Sequence, residues 1–267
     1  MTTSSAPNIS DLLKELVARS GSSLHLTLGV PPRVRVDGTW AVIDQPALTV
    51  DHIRRLIATV LPPPKVQQLE DPQSAFVTSM FGVKGLARFQ LTAYVQRGAP
   101  AVVIKRIPFE LPETPSWLSP AFDALKPGGL VIVAGPAGSG RSTTLAMLVR
   151  QLNQTQAWRV LTLEDPIAYT FANERCVIEQ LDLESPMPVE FAVQVARTTQ
   201  PDAVVIAMDD DLRTASEIVG AGSLVIASVT VNSAEAATAL VKKALPAQQE
   251  TRVIWLSRPG EGSLLGR

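Results

Sequence analysis

Cysteine is almost missing from this chain: Cys176 stands alone among 267 residues. No internal disulfide can form, which fits a reducing compartment, and a lone thiol between apolar neighbours reads as inert core. Histidine is nearly as scarce. His25 lies in a strand-like stretch and reads as structural; His52 reads as a solvated position on a helix face. No excess of one charge exists, since 24 basic side chains meet 25 acidic ones. A near-neutral chain without a long basic run is a poor candidate for a general nucleic-acid binder, so none is expected as a partner. Long apolar runs are also absent. LVIVAG and LVIASVTV are far too short to span a bilayer, so no transmembrane segment is expected. The opening MTTSSAPNIS has neither a basic nor an apolar signal region. These absences predict a cytoplasmic protein, with peripheral docking on a membrane complex left open.

What is present divides into two textures. In the first, Ile9, Leu12, Leu13, Leu16 and Val17 recur at helical spacing behind Ser10, a candidate cap. "LHLTLGVPPRVRVDGTWAVI" alternates apolar and polar residues around Asp37-Gly38, which predicts strands joined by a hairpin turn. Ile53, Leu56, Ile57, Val60 and Leu61 mark a second helix, stopped by Pro62-Pro63-Pro64. "GLARFQLTAYVQRGAPAVVIKRI" reads as strand, turn, strand. Residues 1–107 are therefore expected to form an α+β domain with an antiparallel sheet. Four prolines between Pro108 and Pro120 predict a linker over 108–120.

Beyond it, in 121–267, short continuous apolar runs appear: LVIVA, VLTL, AVVIA, LVIASV and RVIWL. Such runs suit strands buried on both faces of a mostly parallel sheet. Helical stretches alternate with them, and one places Leu145, Leu148, Val149 and Leu152 on a single face. The expected class is α/β with crossovers.

Between LVIVA and that helix lies Gly135-Pro136-Ala137-Gly138-Ser139-Gly140-Arg141-Ser142-Thr143. The spacing is that of the phosphate loop G-x-x-x-x-G-K-[ST], in its strand-to-helix setting. Glycines let successive N–H groups turn inward toward a phosphate, and the helix N-terminus adds favourable partial charge. Ser142, or Thr143 beside it, offers the hydroxyl expected on Mg²⁺. Arg141 stands where the motif has Lys, and a planar fork does not replace a compact ammonium at a shaped site. It keeps the capacity to pair with phosphate oxygens. The plainer alternative is a glycine-rich turn that binds nothing.

Several stretches together resemble one family, the secretion ATPases that power type IV pili, most closely the pilus-retraction (PilT/PilU-like) members. "SSLHLTLGVPPRVRVDG" resembles the family's opening strands. "ARFQLTAYVQRG" and "VIKRIP" resemble the stretch that carries arginines toward a neighbouring subunit's nucleotide, here Arg88, Arg97 and Arg106. "LTLEDPI" is similar to the acidic box, which puts Glu164 and Asp165 near the metal and the attacking water. "QPDAVVIAMDDDLRTA" is similar to the second nucleotide-binding motif. The resemblance implies a RecA-like P-loop core behind a smaller PAS-like α+β domain. It further implies ATP and Mg²⁺ between subunits of a hexameric ring, working against an inner-membrane pilus platform protein in retraction or twitching motility. Ser142 and Glu164 would then face the metal.

The chain departs from that pattern at four places. Arg141 replaces the loop Lys. Ala207 and Met208 stand where the second motif has Gly-Glu, and a thioether neither accepts a proton nor holds Mg²⁺ usefully. Asp209, Asp210 and Asp211 follow, read as a solvated helix-capping turn with a substitute carboxylate as the alternative. Thr230 occupies the place of the family's His within Ala227–Ala234. "SEIVGAGS" is about one helical turn short, and the family's C-terminal helices are expected to be missing. Losing one positioned acid–base group typically costs on the order of 10²–10⁴ in rate. Two readings therefore stay open: a divergent ATPase of low activity, or a non-hydrolysing subunit in a homo-hexamer or a mixed ring beside an active paralogue. In that ring, the three arginines would serve the neighbour. The bland reading of those arginines is surface charge on strands.

Overall fold

The structure is a computed structural model, and it describes residues 7–107, 110–183, 188–208, 212–220, 222–245 and 250–265. The chain separates into two compact units, divided between residues 109 and 110.

The first unit contains helix α1 (Ile9–Ala18), strands β1 (Ser23–Leu26), β2 (Arg33–Val36) and β3 (Thr39–Val42), helices α2 (Val50–Val60) and α3 (Pro63–Glu70), and strands β4 (Phe76–Val83), β5 (Ala87–Gln96) and β6 (Ala99–Ile107). Its strands form one antiparallel sheet in the order β3-β2-β1-β6-β5-β4. β5 shows why one face packs: Ala87, Phe89, Leu91 and Ala93 are buried while the residues between them are half-exposed, the period-2 pattern of a sheet covered on one side. Ile9, Leu12, Leu13 and Leu16 from α1, with Ile53, Leu56 and Ile57 from α2, join the same core.

Two turns match their sequence signals. Asp37 and Gly38 both take positive φ between β2 and β3, as do Arg97 and Gly98 between β5 and β6. Two consecutive left-handed residues match the right-handed strand twist. Two expectations need correcting. The cap of α1 is Asn8, whose side chain accepts from the Ser10 N–H, so Ser10 is the capped residue. The proline run does end α2, but it also opens α3, because Pro at the first helical position lacks only an N–H that would go unused there.

His25 is half-buried on β1. Its Nε2 lies 3.0 Å from Ser23 Oγ, and its ring meets Trp40 edge-on at 4.4 Å between centroids. Burial, then the Arg35 and Lys105 charges, hold its pKa below the usual imidazole range. The folded chain therefore takes up this proton less readily than the unfolded one. Stability should be full above the unfolded value of about 6.5 and fall as the pH drops through the folded value. Thermal melts between pH 8 and 5 should show that decline, flattened in His25→Gln; an unchanged slope in the variant would disprove it.

The second unit contains β7 (Leu130–Gly135), α4 (Arg141–Thr155), β8 (Arg159–Glu164), β9 (Val177–Asp182), α5 (Val189–Thr199), β10 (Ala203–Ala207), α6 (Arg213–Ile218), β11 (Leu224–Thr230), α7 (Ala234–Ala244), β12 (Thr251–Arg258) and β13 (Glu261–Leu265). The sheet order is β13-β12-β7-β11-β10-β8-β9, parallel from β12 to β9, with β13 antiparallel at the edge. β7 is buried at all six residues, so its apolar run serves both faces. One face packs α4 through Leu145, Leu148, Val149 and Leu152; the other packs α5, α6 and α7. The proline-rich segment is less open than expected: a 3-10 helix runs from Ser116 to Ala124 and buries Leu118 and Ala121. Pro108 lies outside the described residues.

Candidate functional site

Gly135 closes β7, and the chain turns through Pro136 and Ala137 to Gly138 and Gly140, both at positive φ, before α4 starts at Arg141. Those two glycines meet the need for a left-handed backbone. Gly135 is required for another reason. A Cβ there would lie 2.5 Å from Ser139 Oγ and 2.7 Å from the Leu256 carbonyl oxygen. Ser139 is itself buried, with its Oγ unpaired among the described residues. The loop is thus folded tightly on itself and against β12. No side chain caps α4, whose N-cap is Gly140. The first N–H groups of a helix have no intrahelical acceptor, so this end offers donors and the positive end of the helix dipole to an anion. These residues fit a phosphate group.

The strand ends bring further candidates to the same edge. Glu164 ends β8 and is buried. Its Oε1 accepts from Thr162 Oγ1 at 2.7 Å and from Gln180 Nε2 at 3.0 Å; its Oε2 accepts from the Ala168 N–H at 3.3 Å. Gln180 also donates to the Tyr169 carbonyl at 2.8 Å, and the Tyr169 hydroxyl lies 3.1 Å from Thr143 Oγ1. A chain of hydrogen bonds therefore links the first turn of α4 to the Glu164 carboxylate. Ser142 and Glu164 line one small cavity, about 10 Å³, with Tyr169 and Ala207. That is room for about one water. Asp165 is exposed beside it. Among the described residues, no three acidic, His or Cys side chains cluster as a metal site. Magnesium in this site would lean on Ser142, Glu164 and the ligand's own oxygens.

Met208 follows β10, pairs into the apolar cluster on the α5–α6 face, and accepts from Thr214 Oγ1 through its sulfur at 3.7 Å. Asp209, Asp210 and Asp211 lie outside the described residues. Thr230 ends β11 in register with Gly135, next to the loop.

The three arginines belong to the first unit and do not form one group. Arg88 pairs with Ile107 across β5–β6, and Arg106 pairs with Phe89. Paired residues share a face, so Arg88 and Arg106 point to opposite faces. Lys105, in register with Gln90, lies on the Arg88 face, and so does Arg35, which shares Ser23 as a partner with Lys105. Arg97 sits exposed in the turn at the other end of the hairpin, about 30 Å along the strand from Arg88.

Sequence reasoning missed the supports of the site. Arg150 on α4 donates to Thr114 Oγ1 at 2.7 Å and to the Leu111 and Pro112 carbonyls, fixing the start of the second unit. Buried Asn153 donates to the Ala172 carbonyl and accepts from the Glu174 and Cys176 N–H groups, which holds the return to β9. Cys176 is buried, and burial pushes its thiol pKa up, as an inert core residue requires.

Comparison with known proteins places this geometry. The type II/IV secretion system protein family matches residues 121–245. The type IV pilus retraction ATPase PilT of Pseudomonas aeruginosa is 31% identical over 254 residues, covering 92% of this chain and 73% of that protein. The type IV pilus ATPase PilU of the same organism is 28% identical, covering 92% and 65%. Among solved structures, the pilus retraction motor PilT with bound ADP superposes with a TM-score of 0.81 at 27% identity, over 93% of this chain and 78% of that one. The second unit is accordingly a RecA-like ATPase core behind an N-terminal domain, and no helix among the described residues is long and apolar enough to cross a membrane. The chain belongs to the type II/IV secretion ATPase family, among its PilT-like members.

Proposed function

We propose that this chain binds ATP with Mg²⁺ on the loop from Gly135 to Thr143 and hydrolyses it weakly or not at all, within a pilus-retraction or twitching machine. The observation that carries the reading is a contrast between the loop after β7 and the end of β10. The phosphate cradle is intact, down to the contact that only glycine permits at 135. Yet the second-motif position is a thioether packed in the core. Binding rests on main-chain donors, which the replacement of Lys by Arg141 leaves in place; turnover rests on side chains that have changed.

The expected assembly is a hexameric ring, of this chain alone or mixed with an active paralogue, held in the cytoplasm against an inner-membrane platform protein. In a mixed ring Arg88, Arg97 and Arg106, from two faces and two ends of the β5–β6 hairpin, would serve the neighbour's nucleotide. The packing of Met208 favours this second reading over a self-sufficient motor. The domain roles follow: residues 1–107 as the PAS-like domain, 121–267 as the nucleotide core, joined by 108–120.

Titration with N-methylanthraniloyl-ATP should give saturable, Mg²⁺-dependent binding. Phosphate release by the purified chain should stay far below the ordinary enzyme rate of about 10 s⁻¹. Absence of binding would overturn the nucleotide reading; release at that rate would overturn weak hydrolysis.

A further inference from the structure

We propose that Arg258 is a phosphate ligand of the loop, a cation supplied by the same chain from the turn between β12 and β13. The inference rests on the loop being a nucleotide cradle. β12 and the turn that follows it touch the loop at its two ends. The Leu256 carbonyl and Cβ crowd the Cβ position of Gly135, at 2.7 and 3.1 Å, and Pro259 Cα lies 3.6 Å from the Cβ position of Gly140. Arg258 lies between those two contacts, its Cα within about 8 Å of the Gly140 position. A long guanidinium side chain covers that distance.

The turn is built to stay there. Pro259 and Gly260, the latter at φ 80°, are the residues a tight turn of this kind demands. Trp117 Nε1–H donates to the Gly260 carbonyl at 2.9 Å, and a Cβ on Gly262 would strike the Trp117 ring at 2.7 Å. The edge of the sheet is thus clamped over the loop by the 3-10 helix.

Arg258 is paired with Glu261 across the turn, and the side chains are 71% and 54% exposed. So exposed a pair is weak and easily exchanged for a phosphate. A triphosphate offers the guanidinium two or more oxygens in a charge-assisted fork. Glu261 would then act as a latch, holding Arg258 until a polyphosphate competes. This gives the chain a second basic group at a site where Arg141 stands in the Lys position.

The test is a titration of the full chain with N-methylanthraniloyl-ATP and -AMP at fixed ionic strength. Arg258→Ala should weaken the triphosphate roughly tenfold, as for a lost charged hydrogen bond, and leave the monophosphate within about twofold. Glu261→Gln should tighten the triphosphate. Lys126→Ala, which removes another exposed, ion-paired charge elsewhere in the unit, should change neither. Melting temperatures should match the parent, since all three positions are exposed. Unchanged triphosphate affinity in Arg258→Ala, or an equal loss in Lys126→Ala, would overturn Arg258 alone. Failure of the parent to bind would overturn the nucleotide reading and this inference with it.

Discussion

Gly135→Ala is expected to abolish detectable nucleotide binding and to lower stability by about 1–3 kcal/mol, the range for overpacking a tight site. The added methyl would stand 2.5 Å from Ser139 Oγ, 2.7 Å from the Leu256 carbonyl and 3.1 Å from Leu256 Cβ. The serine could rotate, but it is buried and has little room. The carbonyl belongs to β12, which pairs with β7 from Thr251 to Trp255 and with Gly262 of β13 at Leu256 itself, so it cannot retreat alone. Either β7 and β12 separate at their ends or the loop lifts, and both move the N–H groups that would hold the phosphate. Gly138→Ala is the matched control. Nothing lies within 4 Å of its Cβ position, and only the positive φ of 81° opposes a side chain, worth about 1 kcal/mol. Melting should therefore rank parent, Gly138→Ala, Gly135→Ala, with binding lost only in the last. The reverse order would show that backbone conformation, not crowding, fixes this loop.

That contrast shows what the sequence could reveal. The spacing of Gly135, Gly138 and Gly140 was legible, because the motif is local and each glycine answers a local demand. The contact with Leu256 was not, because it depends on β12 lying beside β7, more than a hundred residues away in the chain. The same division runs through the fold. α1, α2 and α4 declare themselves by apolar spacing, and the β5–β6 hairpin by alternation around Arg97-Gly98. β9 and β13 do not. Both are edge strands, and VIEQLD and EGSLL carry neither a buried run nor a clean alternation. The site behaves alike. Glu164 was readable from "LTLEDPI", whereas its partner Gln180 enters only through the register of β8 with β9. Arg88, Arg97 and Arg106 looked like one group in one dimension; the pairing of β5 with β6 separates them onto two faces and two ends.

Met208→Glu, which writes the family's carboxylate back into the second motif, is expected to destabilise the chain rather than revive it. Met208 is 9% exposed and packs with Leu212, Ala215 and Ile206. Its sulfur accepts the Thr214 hydroxyl, a contact that would satisfy only one carboxylate lone pair. A poorly paired charge in such surroundings is costly, and the group responds by raising its pKa in the folded state. The sign then follows. The folded variant binds the proton more tightly than the unfolded chain, whose Glu titrates near 4.3. Stability therefore falls as pH rises from about 4.3 to the folded value and is level beyond it. Relative to the parent, the melting temperature should be little changed at pH 4 and clearly lower at pH 8, by an amount equivalent to about 1–3 kcal/mol. Phosphate release should not rise, even combined with Arg141→Lys, because the residue packs on the α5–α6 face while α4, which follows the loop, packs on the other. A melting difference independent of pH, or turnover gained from the double variant, would mean that residue 208 faces the loop and that this chain stands one or two side chains away from a working motor.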